Sequence, residues 1–75
     1  MAQYELDATG MLCPMPVIKT QDRTQELNPG DTLVVYCTDP GAINDVTAWC
    51  RINGHKVLEA RHEDNRIIIK LEVMH

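Results

Sequence analysis

Five turn signals cut this chain into pieces too short for anything but a minimal fold. They are Thr9-Gly10, Asn28-Pro29-Gly30, Asp39-Pro40-Gly41, Gly54 and Glu63-Asp64-Asn65. Glycine supplies backbone angles closed to other residues, and proline fixes φ and removes a donor, so such clusters end helices and strands. Six short elements remain between them.

Their patterns fix the order. Tyr4-Glu5-Leu6-Asp7 alternates apolar and polar, the period of a half-buried strand. A helix is predicted from Pro14 to about Leu27, with Cys13 near the N-cap, because prolines are tolerated in a first turn. Its apolar face is thin: Val17, Ile18 and Leu27 are separated by Thr20 and Thr24, so packing is expected near Val17 and Leu27. Residues 32–38 are rich in β-formers, with Leu33, Val35 and Cys37 on one face and Val34 and Tyr36 on the other. Asp39 is read as the N-cap and Pro40 as the first residue of a second helix, where Ile43, Val46 and Cys50 form a stripe beside Trp49. Two strands follow, 56–62 and 66–73. In the last, Ile67, Ile69, Leu71 and Val73 share a face opposite Ile68, Lys70 and Glu72.

The order is therefore βαβαββ. Two helices can cover one face of a mixed four-stranded sheet, giving an α+β fold, a two-layer α/β sandwich. At 75 residues the chain is expected to form a single domain, residues 1–75. Hydrophobic residues make up 44%, with one Trp, two Tyr and no Phe, so the core is expected to be aliphatic. No apolar run reaches the ~18 residues of a membrane span. The first ten residues lack a basic segment followed by an apolar one, so no secretory signal is read there. Seven basic residues against eleven acidic give a net charge of −4, which opposes direct nucleic-acid binding.

Three cysteines, an odd number, do not suggest a disulfide scaffold; the expected compartment is a reducing cytoplasm. Serine is absent, which excludes a serine hydrolase. No phosphate loop is present, and no Cys-x-x-Cys or His-x-x-x-His pair offers metal spacing, so neither cofactor nor metal is expected. Cys13 stands out by position. At a helix N-terminus, unpaired N–H groups stabilise a thiolate, and its pKa is expected to fall below that of a free thiol. Pro14 and Pro16 would stiffen the turn, leaving the N–H groups of Met15 and Val17 as the nearest donors. The competing reading is a small buried hydrophobe, the commonest role of cysteine.

Cys37 and Cys50 fall in phase with apolar neighbours and read as core thiols. Thioredoxin-type chemistry needs a resolving cysteine where this chain has Pro16. His62 reads as an exposed polar residue and His55 as a turn residue; His75 ends the chain. Asp7 reads as a loop acceptor for backbone N–H groups. Lys19 and Arg23 lie on one helical flank of Cys13, where they could attract an acidic partner.

The stretch Leu6-Asp7-Ala8-Thr9-Gly10-Met11-Leu12-Cys13-Pro14-Met15-Pro16 resembles the Cys-Pro-x-Pro signature of the TusA/SirA-like sulfur-carrier family. The resemblance continues through Asn28-Pro29-Gly30-Asp31-Thr32-Leu33, Thr38-Asp39-Pro40, Gly54-His55 and the final hairpin. It implies the same βαβαββ sandwich and a persulfide on Cys13, supported by Pro14, Pro16, Gly10 and Asp7. It also implies a cysteine desulfurase or rhodanese-like donor, and an acceptor in tRNA thiolation, molybdenum-cofactor maturation or sulfur oxidation. A carrier that docks two partners is expected to be a monomer. The motif's variable residue is Met15, and helix one carries Arg23 and Thr24 where apolar or small residues are more usual. Two other readings remain open on the residues alone. One is a non-catalytic interaction module; the other is a redox sensor pairing Cys13 with Cys37 or Cys50.

Overall fold

The computed structural model describes residues 2–74, so His75 lies outside the described residues. The elements are β1 (Gln3–Ala8), α1 (Met15–Thr24), β2 (Thr32–Cys37), α2 (Ala42–Ile52), β3 (Lys56–Glu63) and β4 (Arg66–Glu72). The sheet runs β1-β2-β4-β3, with β1 and β2 parallel and the other pairs antiparallel. This is the mixed sheet and βαβαββ order that the sequence predicts.

Alternation sorts the sheet into two faces. Leu33, Val35, Cys37, Ile69, Leu71 and Val73 are fully buried, with Ala8, Val46 and Cys50 in the same cluster. Each such Leu, Ile or Val side chain stabilises the fold by about 1.5–3 kcal/mol. The register sets Val35 opposite both Leu6 and Ile69, so β1, β2 and β4 meet in one aliphatic layer. The opposite face is wetter: Tyr36 donates its hydroxyl to Glu5 at 3.1 Å, and the Arg66 guanidinium lies 4.7 Å above the Tyr36 ring. Arg61 adds ion pairs to Glu59 at 2.9 Å and Glu63 at 3.2 Å.

Helix α1 departs from its sequence reading in three ways. It begins at Met15 with Pro14 as N-cap, which puts Cys13 directly before the cap. It ends at Thr24, before Leu27. Its buried stripe is Pro16, Thr20 and Thr24, spaced by four, while Val17 is only half-buried. Threonine can serve there because its hydroxyl is satisfied within the helix: Thr20 Oγ1 donates to the Pro16 carbonyl at 2.8 Å, and Thr24 Oγ1 to Gln21 at 2.9 Å. Leu27 is buried after the helix, where its N–H donates to the Thr24 carbonyl at 3.2 Å.

Helix α2 also starts later than its sequence suggests. Gly41 is its N-cap and Ala42 its first residue. Asp39 instead closes an Asx turn, its Oδ1 accepting the Gly41 N–H at 3.1 Å. The turn of Asn28-Pro29-Gly30 is held by Asp31, whose carboxylate accepts the N–H groups of Asn28 at 2.9 Å and Ala2 at 3.1 Å. Those bonds hold the Asp31 carboxyl below the usual range.

Candidate functional site

The β1–α1 loop and the start of α2 meet at one end of the sandwich. Gly10 turns the chain out of β1 with φ +78, and a Cβ there would meet nothing within 4 Å. The requirement is therefore conformational rather than steric. The Gly10 N–H donates to Thr38 Oγ1 at 2.8 Å, which ties the loop to the end of β2. Asp7 acts as the local acceptor its position suggests: its Oδ1 takes the Thr9 N–H at 3.0 Å and the Thr9 hydroxyl at 2.6 Å. Those two bonds lower the Asp7 pKa.

Cys13 follows this turn and is exposed, joined to Pro14 by a cis peptide bond. Its backbone N–H donates to Asp39 Oδ2 at 2.9 Å, and its Sγ donates to Asp45 Oδ2 at 2.9 Å. The sulfur thus faces the first turn of α2, rather than donors of α1. The Met15 N–H named as a nearby donor is occupied by the Leu12 carbonyl at 2.8 Å.

The electrostatic consequence reverses the expectation from the sequence. The Asp45 hydrogen bond raises the Cys13 pKa, with desolvation and the charges of Asp45 and Asp39 adding to it. A carboxylate that accepts the S–H favours the neutral thiol.

The other two thiols lie where the pattern puts them. Cys37 and Cys50 are fully buried, and burial pushes both up to about 11. Cys13 is the exposed cysteine of the three. Exposed apolar side chains flank it in sequence: Leu12 at 74% exposure, Met15 at 38% and Ile18 at 41%.

The other candidates are not drawn into this site. His55 follows the Asn53-Gly54 turn and is buried: its Nδ1 accepts the Met74 N–H at 3.2 Å and its ring lies 5.2 Å from Trp49. His62 is exposed, as its position suggests. Arg23 is engaged by the Tyr4 ring at 5.0 Å and by Glu26 at 3.4 Å, whereas Lys19 is exposed. A depression of 550 Å³ on the outer sheet face is lined by Glu5, Asp7, Thr9, Tyr36 and Arg66, and Cys13 is not among its lining residues. Among the described residues no group of three His, Cys, Asp or Glu is placed to hold a metal ion.

Asp39 and Asp45 are the residues that sequence reasoning missed. Asp39 reads as a helix cap, and no motif or periodicity in the sequence singles out Asp45. Only the parallel crossover from β1 to β2 brings their segment beside Cys13, 26 and 32 residues away.

A two-layer sandwich that presents one exposed thiol beside a Cys-Pro-x-Pro turn defines a small thiol-bearing α+β domain class. The family model for Sulfurtransferase TusA matches residues 4–73, and the chain belongs to that family. A sulfur carrier protein TusA of Pseudomonas aeruginosa is 40% identical over 58 residues, which are 77% of this chain and 73% of that protein. YrkI of Bacillus subtilis, described as a candidate sulfur carrier protein, is 48% identical over 58 residues, 77% of each chain. The crystal structure of a SirA-like protein from Desulfitobacterium hafniense superposes with a TM-score of 0.85 at 22% identity, covering 96% of this chain and 99% of that one. That last likeness concerns the fold. The family and its named carriers give this chain a sulfur-carrier role, which entails exchange with sulfur donors and acceptors. Among the described residues no helix is long and apolar enough to cross a membrane.

Proposed function

We propose that Cys13 carries sulfane sulfur as a persulfide and relays it between proteins. The observation that supports this is the separation of the three thiols: Cys13 is exposed on a loop end, while Cys37 and Cys50 are sealed in the core. In the transfer, the Cys13 S–H bond breaks and its proton passes to water. Sγ attacks the outer sulfur of a donor persulfide, forming a new S–S bond. The donor's own S–S bond breaks, and its electron pair leaves on the donor cysteine, which takes a proton. One persulfide is exchanged for another, so no outside oxidant or reductant is needed.

On this reading residues 1–75 act as a single domain. Gly10 and Asp7 shape the turn, Pro14 and Pro16 open α1, and together they present the thiol. The donor is a cysteine desulfurase or a rhodanese-like protein. The acceptor belongs to tRNA thiolation, molybdenum-cofactor maturation or sulfur oxidation. The carrier works as a cytoplasmic monomer and meets no nucleic acid directly, in keeping with its net charge of −4. The burial of Cys37 and Cys50 weighs against a redox sensor that pairs them with Cys13.

Incubation with a cysteine desulfurase and cysteine, without reductant, followed by intact mass measurement tests the reading. Wild type gains the mass of one sulfur atom, and Cys13→Ala does not. Equal loading of Cys13→Ala overturns it.

A further inference from the structure

The Cys13 thiol is exposed, yet it is not free. Its Sγ donates to Asp45 Oδ2 at 2.9 Å, and its own N–H is held by Asp39 Oδ2 at 2.9 Å. Two carboxylates on one segment therefore grip one residue of another. The nucleophile in sulfur transfer is the thiolate, so a group that retains the thiol proton suppresses reaction. For a residue assigned to carry sulfur, this contact is the opposite of activation.

Resting on the persulfide reading above, we propose that Asp45 is a specificity-determining residue for sulfur transfer. Its carboxylate holds the idle Cys13 sulfur toward the thiol, and a donor protein that docks over this end of the sandwich and parts the pair meets a larger thiolate fraction. When the pair parts, the thiol ionises more readily: in the fraction that does, the S–H bond breaks, the proton goes to water and the electron pair stays on Sγ. No other bond changes in this step.

The placement of the two residues supports a gate rather than a structural tie. Asp45 is half-buried in the first turn of α2, and the hydrogen bond it makes to Cys13 is exposed. A protein surface can therefore reach the contact. The structural tie between the loops is already supplied by Asp39, which accepts from both Cys13 and Gly41 through its two oxygens. Among the described residues neither Asp39 nor Asp45 forms an ion pair that would neutralise its carboxylate. Both charges consequently act on the sulfur, and both are among the causes that raise its pKa. An idle carrier meets peroxides and other small electrophiles continually, and these attack thiolates in preference to thiols. A carrier held as a thiol until it docks is spared that loss.

The magnitude can be bounded. Each unit by which the thiol midpoint falls raises the thiolate fraction about tenfold below the midpoint, while intrinsic nucleophilicity drops by about threefold, leaving a net gain of about threefold. Release from Asp45 is thus a modest accelerator toward any electrophile. Selectivity arises because the small reagents lose that factor whereas the docked donor regains it.

The test compares wild type with Asp45→Asn, which keeps the size and an acceptor oxygen but loses the charge. The pH profile of iodoacetamide alkylation at Cys13 is read by peptide mass. Loading is timed with two donors, glutathione persulfide and a persulfidated cysteine desulfurase. Wild type is expected to alkylate with a midpoint above that of free cysteine, and Asp45→Asn with a lower one. Asp45→Asn should load from glutathione persulfide about threefold faster per unit of midpoint shift, with no gain from the desulfurase. A wild-type midpoint at or below that of free cysteine overturns the proposal without any variant. So does an unchanged midpoint in Asp45→Asn, or equal acceleration with both donors. Failure of the persulfide reading itself shows separately, as undiminished loading of Cys13→Ala, and leaves the alkylation profiles intact.

Discussion

Cys13 and Asp39 lie 26 residues apart in sequence and are joined by a 2.9 Å hydrogen bond from the Cys13 N–H to Asp39 Oδ2. The other oxygen of the same carboxylate accepts the Gly41 N–H at 3.1 Å. One side chain therefore fixes the loop that bears the exposed thiol against the turn that starts α2. The Cys13 N–H lies outside the helix ladder, so Asp39 supplies the partner that α1 does not.

Replacing Asp39 removes both bonds at once. Asp39→Ala is expected to cost about 1–2 kcal/mol, the sum of two exposed hydrogen bonds at about 0.5–1 kcal/mol each. Urea unfolding reads the stability, and amide hydrogen exchange reads the loop. The Cys13 amide should lose protection well before the amides of β2 and β4. Unchanged protection at Cys13 would show that the loop is held by other contacts.

Asp31 sets an acid limit on the fold. Its carboxyl is held below its ordinary 3.8 by the N–H groups of Asn28 and Ala2. A folded pKa below the unfolded one gives stability that is present above pH 3.8 and is lost as pH falls through the folded value. Asp31→Asn should therefore unfold at lower urea than wild type at pH 6, with the two midpoints converging toward pH 2. Parallel curves over that range would remove Asp31 as the acid-sensitive group.

Much of the fold is legible in the sequence because the strands alternate cleanly. Leu33, Val35 and Cys37 in one strand, and Ile67, Ile69, Leu71 and Val73 in another, announce the buried face directly. Helix α1 is harder to read, since hydropathy assigns its inner face to Val17 and Leu27. Leu27 is buried and Val17 packs half-buried against the core, but the structure also buries Thr20 and Thr24, because a hydroxyl satisfied by its own helix is compatible with burial. The candidate site is half legible. Cys13 and its prolines are local in sequence, and so are Gly10 and Asp7. The direction of the thiol's pKa shift depends on Asp45, which reaches Cys13 only through the β1–β2 crossover, and no local pattern encodes that.

Thr20 offers a direct check on the unexpected inner face of α1. It is fully buried, and its hydroxyl donates to the Pro16 carbonyl at 2.8 Å. Thr20→Val keeps the volume and gives up one hydrogen bond whose acceptor still lies in the helix, so it should change stability by less than about 1 kcal/mol. Thr20→Ala opens a small void and should cost about 1–2 kcal/mol. Val17→Ala, at a half-buried position, should cost less than Thr20→Ala. The reverse order in urea unfolding would restore Val17 as the inward residue.

The three thiols should separate sharply in a titration with a chromogenic disulfide reagent. At pH 8 in the native state one thiol is expected to react, and peptide mapping should place it at Cys13. All three should react in guanidinium chloride. Burial holds Cys37 and Cys50 at about 11, against 9.0 when unfolded. A folded pKa above the unfolded one gives stability that is complete below pH 9 and fades as pH climbs through that window. Two units correspond to on the order of 2–3 kcal/mol for each buried thiol. The urea midpoint should accordingly drop between pH 8.5 and 10.5. In Cys37→Ala/Cys50→Ala the drop should be shallower. An equally steep drop in that double variant would mean that the buried thiols do not set the alkaline limit.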